Sequence, residues 1–185
     1  MTAAKLEKAI SRWRVRAALI FIPFVVLLSE PTRGSMPVGI AVCLFGLGIR
    51  AWASGHLKKE KELTTSGPYR YCRNPLYLGN LILGFGIALA SRSWWVLIIF
   101  VAYFLVFYPP VIKKERNRLG ELFPGQYLEY KKQVPLFFPT GRHAPAGGNA
   151  KFSPALYRRN REYRALVGTL IFWLILAAKI LIAGR

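Results

Sequence analysis

The sequence predicts an all-α, polytopic membrane protein, on three observations. Five apolar segments run through its 185 residues. Hydrophobic residues make up 54% of the chain although its formal net charge is +19, whereas a soluble nucleic-acid binder of that charge is polar. The cations also sit between the apolar runs, as they do at the flanks of membrane helices.

The apolar segments are 17–29, 34–49, 74–91, 93–112 and 165–184. A span needs roughly 17 to 25 residues, which the later three reach unaided. The first is short and contains Pro23, but Trp13 with Arg12, Arg14 and Arg16 reads as an interfacial collar. No A-x-A cleavage pattern follows its apolar run, so it reads as a retained span and not a removed signal peptide. Arg50 and Lys179 are expected to snorkel from helix ends. Residues 76–112 form a helical hairpin turning at 91–93, with Trp94 and Trp95 at the far interface. Pro109-Pro110 should bend or break the fourth helix. A Gly/Pro/Ala linker follows at 140–150. Ser153-Pro154 then reads as N-cap and N1 of a helix that begins cationic and becomes the fifth span. The expected division is a core, 1–139, and a tail, 140–185, made of the linker and a C-terminal membrane helix.

Five spans put the termini on opposite sides. With the N-terminus inside, segments 1–16, 50–75 and 113–164 carry 5, 6 and 12 Lys/Arg, against only Arg33, Arg92, Lys179 and Arg185 on the other side. That asymmetry predicts a cytoplasmic N-terminus and places GPYRYCRNPLYLGN, residues 67–80, on the cytoplasmic face.

Absences narrow the chemistry. All eight acids are glutamates, so the aspartate-rich magnesium sites of membrane prenyl and phosphatidyl transferases cannot be built. There is no GxSxG elbow, HExxH or P-loop. Cys43 and Cys72 with two distant histidines make no metal site. Cys43 reads as a packing residue, and Cys72, on the reducing side, is not expected in a disulfide. His56 and His143 read as solvated loop histidines.

Two features remain. Gly67-Pro68 and Asn74-Pro75 are turn dipeptides, and Pro75 suits the first turn of the third span. Free backbone N–H groups at that helix end, beside Arg70 and Arg73, favour an anionic group. Tyr69, Tyr71 and Tyr77 offer apolar faces with polar tips, although an aromatic and basic membrane collar would look the same. The second feature is Glu115, five residues past Pro110, or about 7.5 Å along a continuous helix. Surrounded by Lys113, Lys114, Arg116 and Arg118, it is either a counter-charge or a grip on a cationic ligand group.

The loop 67–80, a helical hairpin and then a glutamate with a tyrosine-rich tail over 115–135 resemble the integral-membrane methyltransferases, that is, the isoprenylcysteine carboxyl methyltransferases and phospholipid N-methyltransferases. The matching positions are Arg73, Pro75, Tyr77, Gly79, Glu115, Leu119, Phe123, Tyr127, Tyr130, Val134 and Pro135. Asn74 stands where that family often has His, and Arg116 where it often has a second Glu. The resemblance implies S-adenosylmethionine as cofactor and a lipophilic acceptor taken from the bilayer, with no metal and no nucleic acid. It assigns cofactor binding to Gly67, Tyr69, Tyr71, Asn74, Pro75, Tyr77, Gly79, Glu115, Tyr127 and Tyr130, with Arg73 or Arg116 orienting an acceptor carboxylate. Membrane sterol reductases, which use NADPH, share a similar block but are longer and carry an acid where this chain has Asn80. An inactive relative on the same scaffold is the other alternative.

Overall fold

The computed structural model describes residues 3–59, 61–145 and 151–183. Residues 146–150 of the linker, the side chains of Arg12 and Arg14 in the predicted collar, and Gly184 and Arg185 lie outside the described residues. Among the described residues every regular element is helical: α1 Ala3–Leu28, α2 Ser35–His56, α3 Pro75–Ser91, α4 Trp94–Leu122, α5 Pro124–Gln133, α6 Pro154–Arg159 and α7 Tyr163–Ala183, with a 3-10 turn at Gly67–Arg70. Three of them, α2, α4 and α7, are long and apolar enough to cross a membrane, while α3 and the Leu19–Leu28 part of α1 are apolar but shorter.

The antiparallel pair α2–α3 is the spine of the bundle. Small residues let the two backbones meet: a Cβ at Gly39 would lie 2.6 Å from that of Ala90, and one at Gly46 would lie 2.9 Å from the Gly79 carbonyl. Cys43, between them, is buried and donates to the Leu83 carbonyl at 3.4 Å, the packing role expected of it. At the far end of the pair, Ser35 Oγ donates to the Ala90 carbonyl at 2.8 Å and Glu30 N–H to that of Ser91 at 2.7 Å. The predicted turn follows, with Arg92 left-handed at φ 50° and Ser93 preceding α4.

Several expectations are overturned. Pro109 and Pro110 do not break α4, which runs on to Leu122. The adjacent Tyr108 stacks on Phe104 with centroids 4.1 Å apart and meets Tyr77 edge-on. That packing flanks the two positions where N–H donors are missing, and the helix is continuous through them. Ser153 does cap a helix, accepting from Leu156 N–H at 3.3 Å, but α6 stops at Arg159 instead of continuing into the last span. Arg161 turns left-handed at φ 56° because its neighbours are held elsewhere. Asn160 Nδ2 donates to the Ser54 and Leu57 carbonyls at 2.8 and 3.0 Å, at the C-terminal end of α2. Glu162 accepts from Arg50 Nε at 2.6 Å. Arg50 therefore turns into the bundle and does not snorkel. Lys179 does not snorkel freely either: its Nζ donates to the Val26, Leu27 and Ser29 carbonyls at 2.6, 2.9 and 2.7 Å, closing the end of α1. His56 is buried, not solvated, between Gly67 and Phe152. His143 is exposed.

Candidate functional site

The loop between α2 and α3 is built as a rigid unit. Gly67 sits at φ +58°, and a Cβ there would fall 2.6 Å from the His56 ring, so conformation and space both call for glycine. The segment after α5 straps this loop down. Arg73 N–H donates to the Pro135 carbonyl at 3.0 Å, Asn74 Nδ2 to that of Leu136 at 2.8 Å and Cys72 Sγ to that of Phe137 at 2.7 Å. Farther on, Arg70 and Ala144 exchange two bonds, Ala144 N–H to the Arg70 carbonyl at 3.0 Å and Arg70 Nε to the Ala144 carbonyl at 3.2 Å. The start of the expected linker is thus docked.

This strap brings four of the sequence-selected residues to one cavity. Tyr69, Arg73, Glu115 and Tyr130 line a space of about 150 Å³, walled also by Lys58, Glu62 and Thr64. Tyr130 Oη donates to the Tyr69 carbonyl at 2.7 Å. Burial pushes both tyrosine hydroxyls well above their ordinary range, and the Glu115 charge raises that of Tyr69 further. Both rings therefore stay neutral near pH 7. Arg73 Nη1 donates to Tyr127 Oη at 3.4 Å, whereas its Nε is buried with no hydrogen-bond partner among the described residues. An unsatisfied charged donor is costly unless something fills the place. On the other side of Arg73 a larger groove of about 860 Å³ carries Arg116, Tyr127, Lys131 and Lys132.

The remaining selected residues lie elsewhere. Tyr71 and Pro75 line a separate apolar groove with Trp52 and Pro139. Tyr71 packs against His143, with the Arg70 guanidinium 5.7 Å from its ring. Asn74 is engaged with the strap. Gly79 is a helix-packing position, where a Cβ would lie 2.4 Å from Arg50 Cγ. Tyr77 turns to Tyr108. Sequence reasoning passed over Lys58, Glu62 and Thr64, and also the Arg50–Asn80–Glu162 cluster, in which Arg50 Nη1 donates to Asn80 Oδ1. An arginine within an apolar run was the available signal, because such a charge demands a partner. Among the described residues no three His, Cys, Asp or Glu side chains gather for a metal ion.

The chain matches the phospholipid methyltransferase family over residues 38–126, the stretch that holds α3, the hairpin, Arg73 and Glu115. It is 30% identical over 146 residues to the cobalt-zinc-cadmium resistance protein CzcN of Cupriavidus metallidurans, covering 72% of this chain and 67% of that one. The nickel-cobalt-cadmium resistance protein NccN of Alcaligenes xylosoxydans xylosoxydans is 29% identical over 134 residues, 69% of this chain and 62% of its own length. The protein-S-isoprenylcysteine O-methyltransferase of Saccharomyces cerevisiae is 33% identical over 84 residues, 44% of this chain and 35% of the enzyme. No solved structure matches. With its all-helical bundle and its spanning helices, the chain belongs to the phospholipid methyltransferase family of integral-membrane methyltransferases.

Proposed function

We propose that this protein transfers a methyl group from S-adenosylmethionine to a lipophilic acceptor, with the loop 67–80 on the cytoplasmic face. The observation that carries the proposal is a buried Arg73 Nε without a partner in a cavity that Glu115 also lines. A cation and an anion across one small space suit the carboxylate and ammonium of the cofactor's amino-acid end. At about 150 Å³ the cavity is below the roughly 300 Å³ of a whole small-molecule site. It would enclose only that end, leaving the nucleoside to the adjoining groove past Tyr127.

Bound there, the cofactor supplies a methyl group on a sulfonium. The chain's own contribution is placement and exclusion of water. Arg73 donates to the carboxylate, Glu115 accepts from the ammonium, and Tyr69 and Tyr130 present neutral, buried faces beside them. Arg116, on the groove side, remains available to an anionic group. Methyl transfer by direct displacement needs alignment more than proton transfer, so the site requires no general base.

Titration of S-adenosylhomocysteine into purified protein tests this. Wild type should bind. Glu115 is exposed before binding, so its pair is partly screened, and Glu115→Gln should weaken affinity by about tenfold, near 1.4 kcal/mol. Glu129→Gln, which removes only the exposed 2.8 Å pair with Lys132, should leave affinity within about twofold. Equal affinities for the Glu115 variant and wild type would overturn the assignment.

A further inference from the structure

The end of α2 is closed from the tail. Its last turn is buried at Ser54, Gly55 and His56, where the carbonyls that a helix leaves over need protein partners. Ser153 N–H donates to the Gly55 carbonyl at 2.9 Å, and Asn160 Nδ2 donates to the Ser54 and Leu57 carbonyls at 2.8 and 3.0 Å. These two residues bracket α6, so the short helix acts as a clip. The Phe152 ring lies against Gly55, where an added Cβ would come within 2.2 Å of it.

The amide of Asn160 does more than cap. Ser54 belongs to α2, and Leu57 lies just beyond it in extended conformation with ψ 112°. One side chain therefore spans the point at which the backbone leaves the helix. The peptide that joins Leu57 to Lys58 is held at both ends, its carbonyl by Asn160 and its N–H by Thr64 Oγ1 at 3.3 Å. Leu57, Lys58 and Thr64 all line the cavity that holds Arg73 and Glu115. The tail thus bonds directly to the wall of that cavity, although it lies beyond residue 126, where the family match ends. Small residues lock α2 itself on α3, and Arg50 binds Glu162, whereas the course of the wall departs from the pinned peptide.

We propose that Asn160 is a positioning residue for the cofactor site: through the Leu57–Lys58 peptide it holds the wall of Leu57, Lys58 and Thr64 against Arg73 and Glu115. Asn160 does not line the cavity itself. The proposal rests on the assignment of that cavity to S-adenosylmethionine. Its energetic content is preorganisation. A wall released from Asn160 samples other courses, and binding must recover the competent one, so apparent affinity falls by the fraction that is competent. The loss of two hydrogen bonds makes that a factor of about ten.

Isothermal titration of S-adenosylhomocysteine into the full chain in phosphatidylcholine nanodiscs reads affinity and the fraction of competent protein separately. Asn160→Ala should keep the wild-type stoichiometry and bind about tenfold more weakly. Without ligand, its amide exchange over residues 57–64 should be faster than in wild type, and saturating ligand should slow it again. Lys179→Met, a tail change at the far end of α1, should leave affinity within about twofold, which separates positioning from general destabilisation. Unchanged affinity in Asn160→Ala would overturn the proposal, whether or not that exchange had quickened. Wild type supplies a check that needs no variant to fold: ligand should slow exchange over 57–64 and also over 153–160, which line no part of the cavity. Protection of 57–64 alone would equally overturn it. Failure of wild type to bind would defeat the cofactor assignment instead, and the ligand-free exchange of 57–64 in Asn160→Ala would still decide whether Asn160 holds the wall.

Discussion

Cys72 shows how a single position in the motif loop serves structure and not reactivity. Its thiol donates to the Phe137 carbonyl and accepts from Asn74 N–H at 3.3 Å. Burial pushes its pKa from an ordinary 9.0 up to about 11, with the Asn74 bond and the Arg73 charge opposing the rise. The folded state therefore favours the protonated thiol. Its contribution to stability is complete below the unfolded value near 9 and is lost as pH rises through 11. Because the thiolate is the nucleophile, iodoacetamide at pH 8 should alkylate Cys72 at least tenfold more slowly in native than in denatured protein. A native rate equal to the denatured one would show that the strap over residues 135–137 is open in solution.

At the scale of the element, the helices end on one another. The last carbonyls of α1 find no partner within their own helix, and Lys179 of α7 supplies one cation to two of them, Val26 and Leu27, and to the Ser29 carbonyl just beyond the helix. A hydrogen bond to a charged group contributes about 1.5–3 kcal/mol, and three bonds sharing one ammonium do not add. Lys179→Met keeps the length and removes the donor. It should lower stability by about 1–3 kcal/mol, read as a lower melting temperature in detergent, while S-adenosylhomocysteine affinity is retained. An unchanged melting temperature would mean that lipid or water caps α1 equally well.

At the scale of the whole molecule, the cationic asymmetry between the apolar segments predicts an orientation, with the N-terminus and the loop 67–80 on the cytoplasmic side. Lys59, Arg92 and Gln126 are exposed, and the native cysteines Cys43 and Cys72 are buried, so single cysteines introduced at the three sites report with little background. Labels at positions 59 and 126 should come only from the cytoplasmic side, and at 92 only from the opposite side. Position 92 lies at the turn between α3 and α4, and positions 59 and 126 lie at the loop end of the bundle. Labelling of 59 and 92 from the same side would overturn the topology and the cytoplasmic placement of the site.

The sequence by itself determined the helical class, the membrane character and the two blocks around Arg73 and Glu115. Those properties reside in local composition, in turn dipeptides and in spacing along one chain. It also identified the N-cap at Ser153 and the turn at residue 92, which are set by neighbours a few residues apart. Only the tertiary structure decided which motif residues face a common space and which serve packing, since Gly79 and Asn74 have the right spacing but spend their contacts on α2 and on the strap. Likewise the break before α7 is imposed by Asn160 and Glu162 bonding to residues more than 100 positions away. A charge in an apolar run must find a partner, but the sequence does not say where. For Arg50 that partner is Glu162, in the tail, and only the fold brings the two together.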